Sequence, residues 1–128
     1  MLSATINHKG AELISLQSLT TKREYIWEGN PDFWGKHSPI LFPIVGTLKN
    51  NSYQYKDKTY SLFRHGFVRD FDFNIVTQEK DKVVFSLQNS IETFKIYPFQ
   101  FELQLIYTLK KTELIVTCKV FNNSFETM

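Results

Sequence analysis

An all-β, antiparallel β-sandwich forming a single β domain over residues 1–128 is the fold class this sequence predicts. Three observations carry the prediction. Apolar and polar residues alternate with a period of two in several short runs, and polar turn chemistry separates the runs. Aromatic residues make up 16% of the chain, as twelve Phe, six Tyr and two Trp. Rings of this kind suit strands and stacked or sugar-facing surfaces better than a helical bundle.

Taken in order, Ser3–Asn7, Ala11–Leu16 and Glu24–Trp27 read as short strands, separated by His8-Lys9-Gly10 and Thr20-Thr21-Lys22. From Asn30 to Asn51 the period is lost: Pro31, Pro39, Pro43, Gly35 and Gly46 stand among Phe33, Trp34, Phe42 and Ile44. Irregular backbone rich in rings either plugs one end of a sandwich or carries a binding surface. The plug is the expectation from composition alone. A hairpin follows through Tyr53 and Tyr55, a turn at Lys56-Asp57-Lys58, and Tyr60 and Leu62.

A second hairpin leads from Phe71, Phe73 and Ile75 through Glu79-Lys80-Asp81-Lys82 to Val83, Phe85 and Leu87. Ile91–Ile96 is one helical turn, stopped by Pro98. The clearest alternation comes last. Phe101, Leu103, Leu105, Tyr107 and Leu109 form one face, Lys110-Lys111-Thr112-Glu113 turns, and Leu114, Val116, Cys118 and Val120 return. The predicted core is Phe71, Phe73, Ile75, Val83, Phe85, Leu103, Leu105, Tyr107, Leu114, Val116 and Cys118.

Charge and cysteine usage narrow the function classes. Fifteen basic and thirteen acidic side chains give a net charge of +2, and the longest basic clusters are the pairs Lys22-Arg23 and Lys110-Lys111. No basic face is available for a nucleic-acid partner. Cys118 is the lone cysteine, so no internal disulfide can form and a reducing compartment is expected. Its place in an alternating run predicts a buried small hydrophobe. The first residues lack a basic segment followed by an apolar one, and no apolar run approaches membrane-spanning length. A cytoplasmic setting with no membrane partner is the expectation.

Arg64-His65-Gly66-Phe67-Val68-Arg69-Asp70 is the densest polar constellation, and it falls between two predicted strands. His65 can donate to or accept from a hydroxyl, Arg69 offers a fork of donors, and Gly66 allows a tight turn. Such groups suit a sugar; the alternative is a solvated turn in which Arg69 and Asp70 simply neighbour each other. Other chemistries fail on residue type. His8, His37 and His65 are scattered without metal-ligand spacing, and the five glycines are isolated. No nucleophile motif surrounds a serine, and no acid stands in a run that marks it as a general acid or base. Residue spacing therefore identifies no catalytic residue and no metal site, although a Ser–His–Asp arrangement, which geometry defines, stays open.

One resemblance goes further. Trp27-Glu28-Gly29-Asn30-Pro31-Asp32-Phe33-Trp34 followed by Ser38-Pro39-Ile40-Leu41-Phe42-Pro43-Ile44-Val45-Gly46 is similar to the divergent bacterial branch of aldose 1-epimerase (galactose mutarotase-like) proteins. Arg64-His65-Gly66-Phe67-Val68-Arg69 resembles that branch's His-Gly-Phe-Ala-Arg stretch, with Val68 in place of Ala. Tyr97-Pro98-Phe99-Gln100-Phe101 and Val120-Phe121-Asn122-Asn123-Ser124-Phe125-Glu126-Thr127-Met128 match in the same order.

The resemblance implies that the chain is the N-terminal part of a large antiparallel supersandwich. Such a fold binds a hexose in a cleft and interconverts its anomers without cofactor or metal. A His protonates the ring oxygen, a Glu takes the anomeric hydroxyl proton, and a further His and an Arg hold the sugar. By motif, His65 corresponds to the sugar-holding His, with Arg69 beside it. The protonating His and the Glu fall beyond Met128 in the family pattern, and Thr47 stands where many relatives carry an Arg, with Lys49 two residues on. Two expectations compete: an incomplete epimerase portion that self-associates through exposed sheet surface, and a non-catalytic β-sandwich module that binds sugars or partners.

Overall fold

The computed structural model describes residues 1–128. Leu2–Ile6 (β1) pairs antiparallel with Leu13–Ser18 (β2), with a bulge between Thr5 and Ile6. Ser52–Tyr55 (β3) and Lys58–Ser61 (β4) form a hairpin. Its two turn residues, Lys56 and Asp57, both take positive φ (48° and 59°), as a turn matched to strand twist requires. Asn74–Gln78 (β5), Lys82–Gln88 (β6), Phe101–Lys110 (β7) and Glu113–Asn122 (β8) make a four-stranded antiparallel meander in chain order.

The one α-helix, Ile91–Ile96 (α1), lies where the sequence predicts it, between β6 and β7. Ser90 caps it: its side chain accepts from the Thr93 N–H, and the Thr93 hydroxyl oxygen accepts from the Ser90 N–H. No helix is long and apolar enough to cross a membrane.

The core lies against one face of the meander. Phe73, Phe85, Leu87, Phe101, Leu103, Leu105 and Tyr107 form its floor. Leu13 at the start of β2 and Ala11 just before it, with Leu62, Phe67, Val68, Tyr97 and Phe99 from connections, cover them. Tyr107 reaches across this layer and donates its hydroxyl to Ala11 O at 2.7 Å. Burial pushes that phenol's pKa well above its ordinary value.

The structure corrects several expectations. Glu24–Trp27 is not a strand; one bridge joins Gln17 and Glu24. Beside two backbone bonds, Tyr25 N–H to Leu16 O and Ser18 N–H to Arg23 O, the Glu24 carboxylate accepts from the backbone N–H groups of Leu16, Tyr25 and Ile26, a local clip in place of a longer ladder. Ile75 is exposed on the β5 edge, beside a bulge between Ile75 and Thr77. Val116 and Cys118 are exposed as well, because β8 is the opposite edge strand and little packs over its inner face.

Candidate functional site

The segment from Leu62 to Phe73 joins β4 to β5, and it is laid against residues 42–46 by reciprocal bonds. Phe67 N–H donates to Phe42 O (3.0 Å), His65 N–H donates to Gly46 O (2.8 Å), and Gly46 N–H donates to His65 Nδ1 (2.9 Å). Gly66 makes this approach possible. Its φ is +74°, and a Cβ there would lie 1.9 Å from Phe42 O. His65 itself takes φ +70°, a conformation that a non-glycine residue holds only when its surroundings impose it. Behind the loop, the Phe42 ring packs on Phe67, Tyr97 and Phe101 with centroids 5.5–6.4 Å apart.

The far end of the irregular segment is anchored by an acid. Glu12, buried just before β2, accepts from the N–H groups of His37 (2.6 Å) and Ser38 (3.0 Å). The Ser38 hydroxyl in turn donates to Leu13 O at 2.7 Å. A buried carboxylate is tolerated when donors of this kind satisfy it. Glu12 stands between Ala11 and Leu13, an acid inside an apolar run, and that was the available signal for its buried role.

Between these anchors opens a hollow of about 530 Å³ lined by Trp34, Pro39, Leu41, Arg64, His65 and Arg69. The fold thus brings His65 and Arg69 together and adds an apolar wall from a segment some thirty residues earlier. Arg69 Nη2 donates to Arg64 O at 3.1 Å, and its Nε lies 3.6 Å from Asp70 Oδ2. Asp70 Oδ1 faces Lys36 Nζ at 3.5 Å. Arg64 Nε sits 3.1 Å from His65 Nε2. Of the rings noted in the irregular segment, Trp34 lines the hollow and Phe42 belongs to the core, while Phe33 is 81% exposed outside it. Thr47 and Lys49 do not line it.

A second hollow, of about 390 Å³, lies under β1 against Ala4, Ile6, Val83, Phe85 and Tyr107. The charged β5–β6 turn, Glu79, Lys80, Asp81 and Lys82, lines it as well, while Tyr107 donates to Ala11 O and His8 Nδ1 lies 3.4 Å from Phe73 O. No group of three or more His, Cys, Asp or Glu side chains gathers as a metal site would require. The hollow at His65 is therefore the candidate: forked donors on one side, an indole and aliphatic surface on the other.

Comparison with known proteins adds an independent line. Residues 1–128 match the family model described as aldose 1-epimerase. Protein LacX (plasmid) of Lactococcus lactis subsp. lactis is 38% identical across 73% of this chain, which spans 34% of that protein. A galactose mutarotase related enzyme from Lactobacillus acidophilus superposes with a TM-score of 0.98 at 45% identity. That match covers 100% of this chain and 43% of the solved one. A galactose mutarotase-like protein from Lactobacillus casei gives a TM-score of 0.95 at 37% identity, covering 99% and 43% respectively. The chain thus spans well under half the length of these relatives.

Proposed function

Because this chain belongs to the aldose 1-epimerase family, we propose that it is the N-terminal, carbohydrate-binding portion of an aldose 1-epimerase-like isomerase acting on hexoses. The observation that carries the reading is the convergence of His65 and Arg69 beside Trp34 in one hollow. A hexose presents hydroxyls around its rim and C–H surface on its faces. His65 Nε2 and the Arg69 guanidinium suit the first, and the Trp34 indole suits the second. Reciprocal bonds between His65 and Gly46 hold the imidazole in place before a ligand arrives.

Interconverting anomers needs an acid and a base around one carbon, each within hydrogen-bond reach. The side chains lining the hollow supply donors and no carboxylate. In this reading the chain binds and orients the sugar, and the acid and base come from the rest of a longer protein. Titrating ¹⁵N-labelled chain with galactose and glucose tests it. Amide shifts should concentrate at Gly46, His65, Gly66 and Arg69, with a dissociation constant on the order of millimolar for a half-open site. Loss of those shifts in His65→Ala is expected; shifts elsewhere, or none, would refute the assignment.

The alternative class, a β-sandwich module that acts by interaction, draws on β8. Ile115, Val116, Val120 and Phe121 are each 41–45% exposed and stand on both faces of that edge strand. Exposed apolar edges pair with other chains, so self-association through β8 belongs to both readings. Sedimentation should show dimers or larger species that a Val116→Lys, Val120→Lys double variant disperses; a clean monomer at high concentration would exclude the role. The unpaired Cys118 thiol suits a reducing, cytoplasmic setting.

A further inference from the structure

β8 closes one end of the meander, and the backbone groups on its free edge follow a fixed pattern. Asn123 N–H donates to Gln100 O, whereas Asn89 N–H donates to Phe101 O and Leu109 N–H to Asp81 O. Odd-numbered β7 residues therefore bond toward β6 and even-numbered ones toward β8. The β7–β8 register runs without a bulge, so the partners of those even residues are the odd ones of β8, from Glu113 to Phe121. Leu114, Val116, Cys118 and Val120 are left with N–H and C=O groups directed off the edge. Every residue from Ile115 to Asn122 is exposed there.

An open edge of this kind takes another strand, and the charges of β8 select which one. Glu113 and Lys119 are its only charged residues, they share the face away from the core, and neither forms an ion pair within the chain. A second β8 laid antiparallel can bond only with even residues facing even ones. One such register sets Val116 opposite its own copy. It then brings Leu114 opposite Cys118, Ile115 opposite Thr117, and Glu113 opposite Lys119 at both ends. The charged pairs fall at non-hydrogen-bonded positions, where facing side chains stand closest. Sliding one strand by two residues sets Glu113 against Thr117 or Phe121 and loses both pairs.

We propose that β8 docks a second copy of this chain in that register, joining the two four-stranded meanders into one continuous antiparallel sheet across a two-fold axis. The inference rests on the self-association reading above and adds the partner strand, its register and the residues that select it. The exposed Val116 side chains of the two copies meet at the axis, and Glu113 and Lys119 lock the ends.

Carbodiimide coupling of the unmodified chain, read by peptide mass spectrometry, tests the register directly. Glu113 and Lys119 lie six residues apart along one strand, about 20 Å, so a bond between them joins two chains. That linked peptide is expected in the dimer, and mixing ¹⁵N-labelled with unlabelled chain should yield it in mixed-isotope form. In sedimentation, Glu113→Lys and Lys119→Glu should each weaken the dimer roughly tenfold, because two like-charged pairs replace two opposite ones. An equal mixture of the two variants should recover the parent affinity, since each supplies the charge the other lacks. Circular dichroism of each variant checks that it is folded. Dimers that resist both substitutions and form no link between Glu113 and Lys119 overturn the register and leave self-association standing. A clean monomer at high concentration overturns both and leaves β8 to a segment of a longer protein.

Discussion

β7 and β8 are paired residue for residue from Phe101 opposite Asn122 to Lys110 opposite Glu113, and both alternate along their length. On the inner face Leu103 faces Val120, Leu105 faces Cys118 and Tyr107 faces Val116. Leu103, Leu105 and Tyr107 are 0–3% exposed, whereas Val116 and Val120 are each 45% exposed. The difference lies outside the strands. β7 runs beneath the Phe42 and Phe67 rings and the Ala11 carbonyl that Tyr107 bonds, while β8 extends past that cover. Alternation states which side chains share a face; burial depends on what the rest of the chain lays over that face.

Core truncation should give the largest contrast. Leu105→Ala is expected to cost on the order of 2–5 kcal/mol in urea unfolding, as a fully buried leucine does. Val116→Ala, two registers away on the same face, should cost well under about 1 kcal/mol. Equal losses would mean that β8 is covered in solution. Tyr107→Phe should come next, at about 1–3 kcal/mol, because it leaves Ala11 O buried without its donor. Cys118→Ser should sit near zero, within about 0.5 kcal/mol. The native Cys118 thiol should also react promptly with a thiol reagent; labelling that waits on global unfolding would contradict its exposure.

The smallest effect tests the local clip next to β2. Bonds from the Ser15 hydroxyl first, then from the Ile26 and Leu16 N–H groups, lower the Glu24 pKa from 4.5 to about 2. A carboxylate depressed in the folded state contributes its stabilisation in full above its unfolded value. That contribution fades as pH falls from 4.5 through about 2. Amide shifts of Tyr25 and Ile26 should report a midpoint near the lower end of that window; a midpoint at an ordinary carboxylate value would show that the clip does not form.

The hairpins and α1 were legible in the sequence because their signals are local: turn residues, period-two runs, and a helical turn before Pro98. Glu24–Trp27 misled for the same reason, since its residue types suit a strand while its pairing stops at one bridge and the Glu24 side chain takes further backbone bonds. In the site, His65 and Arg69 stood out as a polar cluster in one connection. The wall of Trp34, Pro39 and Leu41 did not, because it is placed by contacts with no sequence period. Glu12 holds His37 and Ser38 across some twenty-five residues, and Phe42 meets Gly66 across twenty-four. Cys118 was misjudged because its pattern matches its buried partner Leu105.

Those distant contacts assemble a hollow rich in donors and without an acid, and the functional reading turns on that asymmetry. The rate of anomer interconversion, followed by polarimetry or NMR from α-galactose and α-glucose with and without the chain, tests it most directly. General acid and base groups are each worth about 10²–10⁴-fold, so the proposed reading, in which both are supplied by the rest of a longer protein, predicts a rate at background for both the chain and His65→Ala. A rate well above background that His65→Ala abolishes would contradict the account and make His65 a catalytic residue.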